Sequence, residues 1–348
     1  MRFTTSRLPR LAAAIGALAI GIGTAGTVGS AQAATPGPMD AATASTAATQ
    51  SSTDHGEQAR SHWTAERMRT AGPIPVPAER HTVQAQSHRL AAQSSAGTAA
   101  PAAVASRAQA TAGLSGATAV SRSGVWNAHG RMPATTVGKL YFSTPRGNSE
   151  CTATVVNSPN KSVVWTAGHC VSDGKGHWYK NWVFVPDYHD GVRPLGAWSW
   201  KTVSTPNGYF KKGDSNYDLA ALTLWPQNGR KVADVTGSQG YKFNYGYTWN
   251  AYEFGYPYDT HPARPGINGQ QLRYCIGKTW RAGGQQAIHC DQGHGSSGGP
   301  WLDDLQLGRG WGYLVGNVSH HLSERSDEER SPHFGDAAVN VYNQVKNA

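Results

Sequence analysis

From Trp126 onward the chain sustains no helical apolar period until its last dozen residues. It offers short apolar runs cut by Gly, Pro, Asn and Asp instead. The runs 137–142, 152–156, 162–166, 182–186, 219–224, 249–254, 271–276, 286–290 and 312–318 read as strands. Strands this short, at this spacing, predict an all-β sandwich or barrel. Alternation is visible in Tyr247-Thr248-Trp249-Asn250-Ala251-Tyr252, the period of a half-buried strand. The one exception is the C-terminus. There Asp336 is placed to cap a helix from Ala337 to about Lys346, with Ala338, Val341, Tyr342 and Val345 on one face.

Upstream of residue 124 the texture differs. All 14 tyrosines, all four cysteines and every tryptophan but Trp63 lie beyond that point. Met1 to Ala33 reads as a secretory signal peptide: Arg2, Arg7 and Arg10, then apolar Leu11 to Ile22, then Ala31-Gln32-Ala33 as a small-x-small cleavage site. Residues 34–124 are rich in Ala, Ser, Thr, Gln and Gly. Such a segment cannot bury enough apolar surface to offset its ordering entropy. It is expected to be a largely disordered propeptide or linker with a short helix around Ala59–Arg69. A pro-segment can mask an active site or assist folding; the poverty of core-forming residues favours a spacer removed after export. The expected location is extracellular and oxidising. No second long apolar segment follows, so no membrane partner is expected after signal cleavage.

Net charge is +9, yet residues 125–348 carry 21 basic against 17 acidic side chains. That spread predicts no nucleic-acid partner. Cys151, Cys170, Cys275 and Cys290 allow three pairings; joining near neighbours would give Cys151–Cys170 and Cys275–Cys290. There is no Cys-x-x-Cys and no His-x-x-x-His, so neither a metal nor another cofactor is expected.

Three short blocks carry the chemistry. Gly295-Ser296-Ser297-Gly298-Gly299-Pro300 sets a serine among small residues. A serine hydroxyl needs a base to become a nucleophile. It also needs N–H donors for the oxyanion it creates. Ser297 centres a Gly-x-Ser-x-Gly pattern, and the amides of Gly295 and Ser297 are the candidate donors. His169, in Thr166-Ala167-Gly168-His169-Cys170, ends an apolar run and is the candidate base. Asp218 opens the apolar run Leu219–Leu222 and is the candidate orienting carboxylate. An acid there is expensive unless its hydrogen bonds are satisfied, which an imidazole N–H would do. Asp214 is the runner-up and has the look of a turn residue.

These blocks, in His, Asp, Ser order, resemble those of trypsin-like serine peptidases, and most closely secreted bacterial and fungal members of the glutamyl-endopeptidase-like type. Gly255-Tyr256-Pro257 and Leu314–Ser319 are similar to strands of that family, and Cys151 sits where such enzymes place the partner of Cys170. The resemblance covers about residues 130–348. It implies two antiparallel β-barrels, 125–235 with His169 and Asp218, and 236–348 with Ser297 and the helix. Two departures are plain. Ser296 stands where trypsin has an acid that pairs with a new N-terminus, and Cys290 lies further upstream of the nucleophile than in most animal members. The implied substrate pocket is lined by Asp291, His294, Ser319 and His320, with Val318 and His321 beside them. Asp291 would suit a basic side chain and the histidines an acidic one. Glutamyl-specific relatives carry a histidine at the position of Val318, so the specificity stays open.

The expected function is a secreted, monomeric serine endopeptidase acting on proteins or peptides through an acyl-enzyme. Two alternatives are an inactive binding protein on the same fold and a secreted serine esterase. Gly-x-Ser-x-Gly also marks the esterase nucleophile elbow. Against the esterase, Pro300 falls where that fold starts a helix, and only 51 residues follow Ser297.

Overall fold

The computed structural model describes residues 40–74, 97–102, 119–323 and 326–348. The expected signal peptide lies outside the described residues. The first half closes on itself. Val137–Thr144 pairs with Gly147–Val155, then Val163–Thr166, Ala220–Leu224, Trp198–Pro206 and Lys180–Pro186, which returns to Val137–Thr144. All six pairings are antiparallel, and together they close the sheet into a barrel. Inward-facing residues such as Leu140, Phe142, Val155, Val164, Trp182, Phe184 and Leu222 fill it and are fully buried.

In the second half, Pro300–Gln306 runs between Trp311–Asn317 and Asn250–Gly255, and Arg273–Lys278 continues the sheet. Gly240–Phe243 joins the far side parallel to Trp311–Asn317, the one departure from antiparallel pairing in this sheet. A smaller sheet holds Trp280–Ala282, Gln285–His289, Glu328–Pro332 and His320–His321. The Cys275–Cys290 disulfide ties the two sheets together, and Cys151–Cys170 ties the first barrel's Gly147–Val155 to the turn after Val163–Thr166. The near-neighbour pairing therefore holds.

The nine expected strands are present, most with ends shifted by one or two residues and Gly147–Val155 beginning five residues early. Beyond residue 126, Trp198–Pro206, Gly240–Phe243, Trp280–Ala282, Pro300–Gln306, His320–His321 and Glu328–Pro332 are additional. The C-terminal helix is Asp336–Val345, with Gly335 rather than Asp336 at the N-cap. Asp336 instead accepts a hydrogen bond from Asn244 Nδ2 at 2.8 Å. The helix buries Ala337, Ala338, Val341, Tyr342 and Val345.

The described part of 34–124 departs from the disorder its composition predicts. Residues 40–74 are ordered against the first barrel. Ser45–Thr49 adds a strand to Trp198–Pro206, from Ser45 opposite Pro206 to Thr49 opposite Thr202. Helices Thr53–His62 and Ala65–Thr70 follow, two short helices where one was expected. Gly72–Pro73 then lies parallel to Ser149–Glu150. The physical reason is economy. The segment has few apolar residues, but Ala59, Trp63, Met68 and Ala71 are all buried. Its backbone groups are satisfied by strand edges the barrel supplies. Gly97–Ala99 and Val120–Val125 likewise extend the two ends of the larger second sheet.

Candidate active site

Strand pairing brings the histidine and aspartate blocks together. Ala220 lies opposite Thr166 in the barrel. His169 sits in a single tight turn, Gly168–Cys170, just past Val163–Thr166. Asp218 sits between the turn Ser215–Tyr217 and the strand Ala220–Leu224. Its Oδ2 accepts from His169 Nδ1 at 2.8 Å, and its Oδ1 from the His169 backbone N–H at 2.8 Å. A Cβ on Gly168 would stand 2.7 Å from the Tyr209 ring and 3.0 Å from Asp218 Oδ1, so only glycine lets the carboxylate approach this closely. Burial alone would raise the pKa of Asp218. The charge of His169 and the hydrogen bonds from His169 and Ser319 outweigh it and hold the carboxyl below its usual range. Asp214 accepts from the Asn216 N–H and caps the turn, the role its sequence context suggests.

Ser319 takes a part that sequence reasoning missed. It was a candidate for the substrate pocket. Its Oγ donates to Asp218 Oδ2 at 2.5 Å, and it stands 2.9 Å from His320 Nδ1. Asn317 Nδ2 also donates to the Asp218 carbonyl. Strand Trp311–Asn317 and its continuation thus carry second-half residues onto the aspartate.

The serine loop is held from both sides. Thr152 N–H donates to the Ser297 carbonyl at 2.8 Å, and Thr152 Oγ1 to the Gly295 carbonyl at 2.9 Å. Gly298 N–H donates to the Val318 carbonyl. Gly298 has φ +80°, and a Cβ there would meet Thr166 Oγ1 at 2.1 Å and Ala167 N at 2.8 Å. The residue after Ser297 therefore lies directly on the histidine block. His169 and Ser297 are both nearly buried, and His169 Nε2 has no hydrogen-bond partner among the described residues.

Accounting for the backbone N–H groups across 293–299 isolates two donors. The carbonyls of 293 to 297 each accept a hydrogen bond, from Ser296 N–H, Tyr258 N–H, Thr152 Oγ1, Gly299 N–H and Thr152 N–H in turn. Gly293 N–H donates to the Asp259 carbonyl and His294 N–H to Asp259 Oδ1. Ser296, Gly298 and Gly299 also donate. Only the amides of Gly295 and Ser297 donate to nothing among the described residues. Buried N–H groups are otherwise almost always paired, and these are the two that sequence reasoning named.

Of the pocket candidates, Asp291 is spent internally. Its Oδ2 pairs with Arg264 Nη2 at 2.8 Å and its Oδ1 accepts from Ser123 N–H at 2.8 Å. A basic substrate side chain would have to displace Arg264. His294 is paired with Asp259, and His320 is buried beside Ser319. His321 is half-buried, and desolvation together with the neighbouring His261, His320 and His294 lowers its pKa to about 3. Among the described residues, two His/Asp groups have ligand atoms close enough to share an ion, His129–Asp187–His189 and Asp259–His261–His294. In each, the aspartate already holds a histidine Nδ1 at 2.8 Å. The two cysteine-containing groups are committed to the disulfides.

No family profile and no curated protein sequence matches the chain. Solved structures do. The protease Anisep from Arthrobacter nicotinovorans is 32% identical, with 99% of its length and 63% of this chain aligned at a TM-score of 0.58. The thermostable serine protease AL20, from an extremophilic microorganism, is 31% identical, with 98% of its length and 62% of this chain aligned at 0.57. A Glu endopeptidase aligns over 97% of its length and 65% of this chain, at 19% identity and a TM-score of 0.51, and shares the fold. A closed first barrel, a second sheet and near-complete coverage of two proteases above 30% identity lead to one conclusion: the chain belongs to the trypsin-like serine peptidases of chymotrypsin fold.

Proposed function

We propose that this chain is an exported serine endopeptidase in which Ser297 is the nucleophile, His169 the general base and Asp218 the group that orients it. One observation carries the reading. Among the described residues every backbone N–H from 293 to 299 donates a hydrogen bond except two, those of Gly295 and Ser297. Two unspent donors flanking a serine are what a developing oxyanion requires.

The chemistry follows from the geometry. Asp218 Oδ2 accepts from His169 Nδ1, which favours the tautomer with Nε2 free to take a proton. As Ser297 Oγ attacks the scissile carbonyl, its proton passes to His169 Nε2 and the oxyanion is received by the two amides. His169 then gives that proton to the leaving amine, and the C–N bond breaks to leave the acyl-enzyme. A water attacks the acyl carbon by the same route, and His169 returns its proton to Ser297 Oγ. The imidazolium is met by Asp218, which stays ionised with Ser319 as a further donor. The substrates would be proteins or peptides, and the active species a monomer acting outside the cell. The apolar segment 11–22 with Ala31-Gln32-Ala33 and the two disulfides support export.

The test is mass spectrometry of the folded protein after treatment with a fluorophosphonate. The expected result is a single adduct on Ser297 that His169→Ala abolishes, with peptide hydrolysis lost in Ser297→Ala by about 10⁶-fold. No adduct on disulfide-bonded protein would move the assignment to a binding protein. Hydrolysis of short-chain esters but never peptides would move it to an esterase.

A further inference from the structure

Resting on the assignment of Ser297 and its two flanking amides, we propose that Asp259 is a positioning residue that fixes the His294–Gly295 peptide and so aims the Gly295 N–H at the oxyanion. Asp259 belongs to the loop after Asn250–Gly255, thirty-five residues from His294. Its carboxylate grips His294 twice: Oδ1 accepts from the backbone N–H at 2.7 Å, and Oδ2 from ring Nδ1 at 2.8 Å. Its own carbonyl accepts from Gly293 N–H at 3.0 Å, and the neighbouring Tyr258 N–H donates to the His294 carbonyl at 2.6 Å.

That last bond sets the direction. In a trans peptide the C=O and the following N–H point opposite ways. With the His294 carbonyl seated on Tyr258, the Gly295 N–H must face away from the Tyr258–Asp259 loop. A flip of the peptide would orphan the Tyr258 N–H and turn a second donor toward it. The seat is also tight. A Cβ on Gly293 would lie 2.0 Å from Asp259 Oδ1, and one on Gly295 2.6 Å from the Tyr256 carbonyl. The next peptide is fixed separately, by Thr152 Oγ1 on the Gly295 carbonyl. Asp259 therefore acts on the Gly293–His294 peptide and the His294 ring, immediately before the peptide whose N–H is the first oxyanion donor, and the neighbouring Tyr258 N–H holds that peptide's carbonyl. Its partners His294 and His261 surround it, and its carboxyl is held below the usual range because the His294 hydrogen bonds outweigh burial.

The experiment compares Asp259→Ala and Asp259→Asn in the full-length protein. Asp259→Ala loses both grips; Asp259→Asn keeps an oxygen for the backbone N–H. Loss of one oxyanion donor lowers kcat by about 10²–10³-fold, so Asp259→Ala should lose about 10–100-fold in kcat as the peptide becomes free to turn. KM should stay within about two-fold, and Asp259→Asn should recover most of the loss. Affinity for a peptide boronate, whose tetrahedral adduct places an oxygen on the two amides, should fall in step with kcat. A kcat within two-fold of the parent in Asp259→Ala, or a boronate affinity that does not fall with it, would overturn the proposal. So would a rise in KM with kcat kept. A crystal structure of Asp259→Ala separates this proposal from the catalytic assignment. If the His294 carbonyl remains on the Tyr258 N–H there, Asp259 is not what positions it, whether or not the parent hydrolyses peptides.

Discussion

Trp63 is the residue by which the ordered 40–74 segment can be weighed. Composition predicts that this segment contributes nothing to stability. The structure predicts a large contribution. Trp63 is 3% exposed, its ring lies 5.3 Å from that of Tyr141, and its Nε1 donates to the Asn181 carbonyl at 2.6 Å. Tyr141 is fully buried and sits on Val137–Thr144 in the first barrel. Truncating a buried tryptophan costs about 3–5 kcal/mol through lost transfer and the cavity left behind. For a unit this large, each kcal/mol moves the midpoint by about 2–4 °C. Trp63→Ala should therefore lower Tm by roughly 6–20 °C, as one cooperative transition. The measurement is calorimetry on full-length protein carrying Ser297→Ala, so that self-cleavage does not blur it. A Tm unchanged within about 1 °C, with protease cutting freely between residues 50 and 70, would refute the reasoning. The barrel would then fold without regard to the segment.

Three further outcomes follow from buried charge. Asp218→Asn should lower kcat by about 10⁴-fold, because the amide can supply His169 with the wrong tautomer; the rate of fluorophosphonate labelling of Ser297 reports it without a substrate. Glu253 and Glu329 are both fully buried, and burial pushes Glu253 up to about 8 and Glu329 well above the usual carboxyl range, where Asp291 and Glu253 raise it further. A folded pKa raised above the unfolded 4.5 means stability is complete below pH 4.5 and is lost as pH rises through about 8. Tm should fall from pH 5 to pH 9, and Glu253→Gln should flatten that fall. Lys139 and Glu150 form a fully buried pair at 2.5 Å. Lys139→Met alone should cost about 3–5 kcal/mol by stranding Glu150, while adding Glu150→Leu should recover most of it, as urea unfolding of the single and double variants would measure.

The proposed reacting groups could be named from the sequence because the packing around them restricts the neighbouring residues. Gly168 must be glycine to admit Asp218, and Gly298 must be glycine to lie on Thr166 and Ala167. The Cys170 bridge also fixes its partner close by. Those constraints fall within a few residues of His169 and Ser297, so they leave a local pattern. The strand series was legible for the same reason, since alternation is a local property. Trp198–Pro206 was not, because its polar Ser199, Thr202 and Ser204 are buried and break the expected alternation. The order in residues 40–74 was hidden too. A strand such as Ser45–Thr49 is held by backbone pairing to Trp198–Pro206, and backbone hydrogen bonds leave no compositional mark.

The groups that hold the backbone of the candidate site in place were the least visible, and the reason is distance along the chain. Thr152 reaches Gly295 across 143 residues, and Ser319 reaches Asp218 across 101. Neither contact imposes a spacing, and each asks only for a hydroxyl where hydroxyls are common. Asp291 misleads for the complementary reason. Its position suggests a charge waiting for substrate, but Arg264, 27 residues upstream, has already claimed it. An isolated carboxylate in a sequence states a demand for partners and does not say which side of the pocket supplies them. In this chain Asp218 meets that demand with His169 and Ser319, Asp259 with His294, and Asp291 with Arg264 and Ser123. Among the described residues, Asp218 holds a group whose free nitrogen can accept a proton, His169 Nε2, whereas the unpartnered Nε of Arg264 beside Asp291 can only donate. That remaining acceptor, rather than the acid itself, distinguishes the carboxylate proposed to serve catalysis from two whose partners lie within the surrounding loops.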